Sequence, residues 1–171
     1  MTGTPTLNRN QIVTFWQGPF SNWFIRPFRV QGVTYNCLEQ WMMASKAKAF
    51  GDQEALATIM ASTSPKEQKA AGRGVRGYND EIWQSLNENL VLVGALGKFI
   101  QHQDLYRQLM ETGDRILIEA SPYDKVWGVG LAADDDRILD RSQWLGQNKQ
   151  GIMLTRVRNV LRQVSTLEQH R

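Results

Sequence analysis

The sequence is poor in the residues on which zinc sites and disulfide-stabilised folds depend. Among 171 residues it has one cysteine, Cys37, and two histidines, His102 and His170. A lone cysteine excludes an intramolecular disulfide and is typical of proteins in a reducing compartment. It also leaves no set of residues with the spacing of zinc ligands. We therefore expect a protein that needs neither a metal ion nor another cofactor.

Long apolar runs and several common catalytic motifs are also missing. No stretch approaches the roughly 18 apolar residues of a membrane span, and residues 1–11 are polar. These features predict a cytoplasmic protein that does not contact a membrane. The sequence has no Gly-x-Gly-x-x-Gly pattern, no Walker loop and no Gly-x-Ser-x-Gly. Their absence argues against the usual dinucleotide, NTPase and esterase sites.

The charge balance is nearly neutral. There are 20 Lys and Arg residues against 17 Asp and Glu, a net charge of +3, which is too small an excess for a typical duplex-DNA binder. A phosphorylated substrate suits it better. With 42% hydrophobic residues, the chain is long enough to bury a core. We expect one domain over residues 1–171, with its core between about residues 12 and 164.

The hydrophobic pattern predicts an α+β fold that is mainly helical, with a small β-sheet. A strand is predicted at residues 12–16, a hairpin at 28–30 and 33–35 turned at Gln31-Gly32, and another strand at 115–119. Helices are predicted at about residues 36–50, 53–61, 64–72, 80–101, 103–111 and 150–164. At several of their ends a Gly or Pro residue marks the helix boundary.

Three of these helices have a predicted buried face. The first is expected to bury Leu38, Trp41, Met42, Ser45 and Ala49. The long fourth helix is expected to bury Ile82, Trp83, Leu86, Leu90, Val93, Leu96 and Ile100. The last helix is expected to bury Met153, Val157, Val160 and Val164.

Glu39 has two interpretations. It lies three residues after Asn36, the predicted N-cap, so the two side chains can form a capping box. It also shares a helix face with Met43, Lys46 and Phe50. A carboxylate and an ammonium on one ridge form either a surface pair or the polar wall of a pocket.

The segment 121–130 is the other candidate for chemistry, because loops at strand ends are where scaffolds often place functional residues. Within it, Asp124 either makes only an Asx-turn or serves a reaction, and Trp127 either fills the core or contacts a ligand. Arg73, between two glycines, either caps a helix or approaches a phosphate.

Two further features are less promising. Asp134, Asp135 and Asp136 are consecutive, and three consecutive carboxylates cannot all face one ion without unusual backbone, so we expect a solvated loop. Cys37 lies at a helix N-terminus but has no evident histidine partner, which argues against a catalytic thiol.

Taken together, the segments resemble the NADAR family, also called YbiA-like, over about residues 12–161. The matching pieces occur in the family's order along the chain. They are Phe20-Ser21-Asn22, Glu39, Lys46-Ala47, Gly72-Arg73, Trp83, Lys98-Phe99, Thr112-Gly113-Asp114, residues 117–120, Asp124, Trp127-Gly128, Trp144, Gly146, Asn148, Gly151 and Arg158.

The resemblance implies a YbiA-like fold and N-glycosidase activity. Family members hydrolyse ribosylamine phosphates of riboflavin synthesis, and others remove ADP-ribose from modified guanine in nucleic acid. The implied partner is thus a phosphorylated ribosyl or ADP-ribosyl small molecule, or an ADP-ribosylated nucleic acid. The implied catalytic residues are Glu39 and Asp124. The implied substrate contacts are Trp83, Trp127, Lys46, Arg73, Ser21, Asn22, Gly128 and Asn148.

Cleavage of a ribosyl C–N bond gives the sugar oxocarbenium character and places negative charge on the leaving nitrogen. Two carboxylates in different environments can divide the required stabilisation and proton transfer. The sequence leaves open which carboxylate activates water. The main alternative is a non-catalytic module that binds ADP-ribose or a nucleotide, and a purely structural interaction protein is a third. The presence of both Glu39 and Asp124 favours the enzyme.

Overall fold

The computed structural model describes residues 6–169, so His170 lies outside the described part. Its helices are α1 Leu38–Ala49, α2 Gln53–Ala61, α3 Pro65–Arg73, α4 Asp80–Gln101, α5 Gln103–Glu111 and α6 Lys149–Gln169. Its strands are β1 Ile12–Phe15, β2 Phe28–Val30, β3 Val33–Tyr35 and β4 Ile116–Glu119. The predicted α+β, mainly helical fold is confirmed. None of the helices between residues 6 and 169 combines the length and apolar character needed to cross a membrane.

The described chain divides into two compact units. The central unit is Asn22–Gln103, with α1 to α4, β2 and β3. The terminal unit comprises the described residues up to Ser21 and from Asp104 onward, with β1, β4, α5 and α6. Whether both act as the single domain expected from the sequence stays a prediction.

The hairpin of the central unit matches its prediction. β2 and β3 pair antiparallel, with Phe28 opposite Tyr35. Gln31 and Gly32 have φ of 50° and 81°, the positive values that a tight two-residue turn requires. Glycine at the second position adopts this conformation without a steric penalty.

Helix α1 lies at the centre of this unit and packs against α2, α3 and α4. Because it has neighbours on several sides, Glu39, Gln40, Met43, Ala44 and Ala47 are buried as well as four of the five predicted residues. The predicted inner face was therefore too narrow. It was wrong for Ala49, which is exposed at the end of the helix.

The predicted buried stripe of α4 was wrong for Ile82, Leu86, Val93 and Ile100, all of which are exposed. The helix instead turns a different face inward. That face consists of Trp83, Asn87, Val91, Gly94, Ala95, Lys98 and Phe99.

The indole of Trp41 explains this rotation of α4. Its Nε1–H donates to the carbonyl of Leu90 at 2.6 Å, and a Cβ on Gly94 would collide with the indole ring. The bulky side chain on α1 can pack only where α4 presents a glycine and an accessible carbonyl. The fit between α1 and α4, and not the apolar periodicity of α4, therefore determines which face of α4 is buried.

In the terminal unit, β1 pairs with β4 in parallel, with Ile12 opposite Ile116 and Phe15 opposite Glu119. Helix α6 packs against β4. A Cβ on Gly151 would collide with the Leu117 carbonyl, so glycine permits this close approach.

The predicted buried face of α6 was correct for Met153 and Val157 and wrong for Val160 and Val164, which are exposed. Arg158 is buried instead, because one of its terminal nitrogens donates to Thr112 Oγ1 at 2.7 Å and to the Arg115 carbonyl at 3.0 Å.

Two residues of the acidic run form ion pairs with arginines. Asp135 contacts Arg137 at 2.6 Å, and Asp136 contacts Arg9 at 3.2 Å. Asp135 also caps the short helical turn Asp136–Leu139. Among the described residues, no group of three or more His, Cys, Asp or Glu side chains is arranged to hold a metal ion.

Candidate active site

Glu39 is a buried carboxylate in the first turn of α1. Its side chain belongs to a residue only 2% exposed. The indole N–H of Trp23 donates to Glu39 Oε2 at 3.1 Å, and the backbone N–H of Glu39 donates to the carbonyl of Asn22 at 3.0 Å. The segment Asn22-Trp23 is therefore held at the start of α1 and fixes the orientation of the carboxylate.

The capping-box interpretation of Glu39 was wrong. The N-cap of α1 is Cys37, whose Sγ accepts a hydrogen bond from the N–H of Gln40 at 3.4 Å. The N–H of Asn36, which a capping box would pair with Glu39, donates to Gln40 Oε1 at 2.7 Å. Asn36 instead accepts a hydrogen bond from Gln68 through its side-chain oxygen. The predicted capping box with Asn36 therefore does not account for the burial of the Glu39 carboxylate.

Ser21 and Asn22 are both buried. The N–H of Ser21 closes a turn by donating to the Gly18 carbonyl at 3.0 Å. The side-chain oxygen of Asn22 is buried without a hydrogen-bond partner among the described residues. A buried acceptor of this kind is costly, and a ligand donor would satisfy it.

Lys46 lies two turns after Glu39 on α1, between two aromatic rings. Its ammonium is 4.1 Å from the ring centroid of Tyr78 and 5.8 Å from that of Trp83. It donates to the carbonyl of Gly72 at 2.9 Å. The Tyr78 ring is held in place because its hydroxyl donates to Asp80 Oδ1 at 2.6 Å. The ammonium thus has a defined position beside Trp83.

Arg73 is exposed, next to Gly72, and is not the cap of α3, a position occupied by Gly74. Burial lowers the pKa of Lys46. The carboxylate of Asp80 opposes that shift, and the positive charge of Arg73 adds to it. The two cations are therefore close enough to repel each other. An anion bound nearby would relieve this repulsion.

Lys98 is a second buried cation of the central unit, and sequence reasoning gave it no role. It lies on the inward face of α4, with its ammonium 5.2 Å from the Phe24 ring centroid. Burial lowers its pKa to about 8, while Cys37 opposes the shift and Arg26 adds to it. The sequence signals were the pair Lys98-Phe99 in the family resemblance and the position of a lysine within an apolar stretch of α4.

This lysine makes stability depend on pH. Between about pH 8 and 10.5 the unfolded chain keeps a proton on Lys98 that the folded protein has lost, so the free energy of unfolding rises with pH. Cys37, whose pKa is raised to about 11 by burial, acts in the opposite direction above about pH 9.0, where the thiol of the unfolded chain loses its proton. From pH 8 to 9 we expect a rise of about 1 kcal/mol, measurable by urea unfolding.

In Lys98→Met this rise should disappear, whereas the exposed control Lys66→Met should retain it. A wild-type free energy of unfolding that stays level or falls from pH 8 to 9 would contradict the assigned protonation of Lys98.

In the terminal unit, Asp124 makes the Asx-turn that the sequence allowed. Its Oδ1 accepts from the N–H of Val126 at 2.9 Å and from that of Trp127 at 2.8 Å. The N–H of Asp124 in turn donates to Ser121 Oγ at 3.2 Å. Trp127 is only half-buried, so it is not a fully enclosed core residue. The turn fixes Asp124 and Trp127 relative to each other.

Gly128 and Asn148 give this loop its shape. A Cβ on Gly128 would lie 2.8 Å from the carbonyl of Asp124 and 3.0 Å from that of Glu119, so only glycine fits. Asn148 is buried with a φ of 54°. Its Oδ1 accepts from the Glu119 N–H at 3.0 Å, and its Nδ2 donates to the Leu117 carbonyl at 2.9 Å. Asn148 thereby completes the hydrogen bonding of β4. Its direct contact with the substrate stays a prediction.

Comparison with known proteins identifies the family. The model of the NADAR domain matches residues 14–162. The chain belongs to the NADAR family. A relative in Acanthamoeba polyphaga mimivirus, N-glycosidase R617, is 38% identical over 144 residues, covering 81% of this chain and 85% of the relative. N-glycosidase YbiA of Escherichia coli is 28% identical over 158 residues, covering 90% of each chain.

The NMR structure of the E. coli protein YbiA has the same fold. It superposes with a TM-score of 0.76 at 26% identity, covering 95% of this chain and 91% of YbiA. The YbiA-like fold expected from the resemblance is confirmed. With several NADAR relatives named as N-glycosidases, the predicted enzyme class, an N-glycosidase, is confirmed as well.

Proposed function

We propose that this NADAR protein hydrolyses the ribosyl C–N bond of a phosphorylated, nucleotide-like substrate. The two substrate classes are the ribosylamine phosphates of riboflavin synthesis and ADP-ribosylated guanine, free or in nucleic acid. The observation that carries the proposal is the Glu39 carboxylate, buried in the first turn of α1 and oriented by the indole of Trp23. A glutamate is rarely buried in a folded protein, and ionisable groups in unusual environments cluster at functional sites.

The reaction consumes one water molecule, and its net proton transfer moves one proton from that water to the leaving nitrogen. Water attacks C1′ of the ribose as the C1′–N bond breaks, and the bonding electron pair leaves with the nitrogen, which takes up a proton. We assign to Glu39 the removal of the proton from the attacking water. We assign to Asp124, whose Oδ1 is fixed by two backbone N–H groups, the stabilisation of the oxocarbenium-like sugar.

The remaining residues bind and position the substrate. Lys46 and Arg73 are assigned to the phosphate, because two neighbouring cations are stabilised by an anion. Trp83 and Trp127 are assigned to the planar leaving base. Asn22, with its buried acceptor oxygen, and Ser21 are assigned to polar groups of the ribose. Gly128 and Asn148 maintain the conformation of the loop that holds Asp124.

Screening phosphorylated and dephosphorylated forms of the same ribosides tests the phosphate assignment. Hydrolysis should favour the phosphorylated form. Lys46→Met should raise KM for it by about 10-fold to 100-fold, since a hydrogen bond to a charged group contributes about 1.5–3 kcal/mol. KM for the dephosphorylated form should change little.

Lys66→Met, which removes an exposed lysine, is the matched control and should behave as wild type. Equal KM changes on both forms of the substrate would show that Lys46 does not bind the phosphate.

Replacement of Trp127 tests the base-stacking assignment. Trp127→Ala should weaken substrate binding by about 1–3 kcal/mol, and Trp127→Phe should recover much of it because an aromatic face remains. The melting temperature should fall only slightly, since the side chain is half-buried.

Ligand titration and thermal melts on one preparation separate binding from folding. A tryptophan that only fills the core would give a loss of about 3–5 kcal/mol in folding free energy on truncation. That loss, with unchanged affinity in the folded fraction, would remove Trp127 from the site.

A further inference from the structure

The carboxyl ends of β1 and β4 lie side by side in the terminal unit. The strands are parallel, and their last residues, Phe15 and Glu119, are register partners. The chain leaves β1 through Trp16 and leaves β4 through the turn that holds Asp124. Loops at the carboxyl ends of parallel strands are where such sheets bind ligands.

Two aromatic rings meet at this edge. Trp16 and Tyr123 have ring centroids 5.8 Å apart and an interplanar angle of 48°. Trp16 is 46% exposed and Tyr123 is 84% exposed. Single exposed apolar residues are ordinary on protein surfaces. Two paired aromatic rings, one of them almost wholly in solvent and adjacent in sequence to Asp124, are less easily explained by the fold.

Tyr123 contributes little to the hydrophobic core, because most of its side chain stays in water, and nearly half of Trp16 is exposed as well. The backbone beneath Tyr123 is nevertheless well defined. Pro122 restricts its own φ angle, and the N–H of Asp124 donates to Ser121 Oγ. The Tyr123 ring is thus presented to solvent from an ordered turn, as preorganised binding surfaces require.

We propose that Trp16 and Tyr123 form a stacking site for a second nucleobase of the substrate, distinct from the leaving base. Stacking on aromatic side chains accepts any base, since every base has a π-face. Lys125, exposed on the same turn, supplies a positive charge for a phosphate linked to that base. The inference rests on the proposed function and deepens it, because it requires a substrate that carries a base beyond the one released.

Such a base has two sources. One is the adenine of an ADP-ribosyl group, and the other is a neighbouring base of a single-stranded nucleic acid. Either base would stack on the same two aromatic rings. Binding experiments with ADP-ribose and with an oligonucleotide therefore distinguish the two sources.

Binding measured by calorimetry tests the stacking site without any need for turnover. ADP-ribose, a short single-stranded oligonucleotide and ribose 5-phosphate are titrated into wild type, Tyr123→Ala and Tyr123→Phe. The control Leu167→Ala removes an apolar side chain that is 68% exposed on α6 of the same unit. Tyr123→Ala should lower the affinity for the base-bearing ligands by about 5-fold to 100-fold. Affinity for ribose 5-phosphate should stay the same.

Tyr123→Phe and Leu167→Ala should bind as wild type, and all variants should keep the wild-type melting temperature. An effect on ADP-ribose alone assigns the site to adenine, and an effect on the oligonucleotide alone assigns it to a neighbouring base. Unchanged affinity of Tyr123→Ala for both ligands would overturn the proposal, as would a wild-type protein that binds neither of them better than ribose 5-phosphate. Failure of the wild-type protein to hydrolyse N-ribosides, measured separately, would overturn the proposed function.

Discussion

Glu39→Gln is expected to lower turnover by about a hundredfold or more while the protein stays folded, because general acid–base groups typically contribute about a hundredfold to ten-thousandfold. The substitution keeps the size of the side chain. It also keeps an oxygen that can accept the Trp23 indole N–H, the contact that orients the carboxylate. What it removes is the charge and the ability to take a proton. Steady-state kinetics with thermal melts on the same preparations measure both effects.

Glu81→Gln is the matched control, since Glu81 also lies in the first turn of a helix but is exposed. It should retain full turnover. If Glu39→Gln instead turns over at the wild-type rate, the catalytic assignment of Glu39 is wrong.

Asp124→Asn is expected to have the second largest effect, a fall in kcat of about a hundredfold. Asparagine retains the side-chain oxygen that accepts the N–H groups of Val126 and Trp127, so the Asx-turn persists. The backbone N–H groups can only donate, which fixes the orientation of the new amide. The loss of rate therefore reports the negative charge and not the shape of the loop.

Asp124→Ala separates the two roles. It should be as slow as Asp124→Asn and should also lose about 1 kcal/mol of stability with the turn hydrogen bonds. Asp134→Asn, at an exposed position of the same unit, is the control. A variant Asp124→Asn with wild-type kcat would show that the carboxylate serves the turn alone.

Local sequence signals were sufficient where the structure is local. The hairpin at Gln31-Gly32 and the bounds of α2 and α5 follow from turn residues and periodicity within a few positions. The cap of α1 was predicted one residue early, at Asn36. Asparagine is the better capping residue, but contacts with Gln40 and Gln68 hold Asn36 elsewhere. Distant partners of this kind cannot be seen in a short window.

The face of α4 was also decided by a distant residue. Periodicity indicated the large apolar side chains, yet Trp41 selects the side of the helix that carries Gly94. Lys98 is on that side and becomes buried. A lysine is seldom expected in a core, so composition and spacing gave no reason to single it out.

In the candidate site, too, the sequence indicated some residues and could not indicate the contacts that hold them. The order of motifs along the chain indicated Glu39, Asp124 and Trp127 through the family resemblance. It could not indicate that Trp23 donates to Glu39 or that Asn148 bonds to the backbone of β4. These contacts join residues far apart in sequence. Among the tryptophans, Trp23 and Trp16 offered no local signal to distinguish them from core residues.

The central claim is that the chain breaks a ribosyl C–N bond in a phosphorylated substrate. It is tested most directly by chromatographic measurement of both products of each substrate: guanosine and ADP-ribose from an ADP-ribosylated guanosine, and the free amine base and ribose phosphate from a ribosylamine phosphate. With wild type, at least one substrate should give its two products in equal amounts, at a rate that Glu39→Gln lowers by about a hundredfold or more. Binding of both substrates with neither product formed would contradict the claim and indicate a protein that only holds the nucleotide.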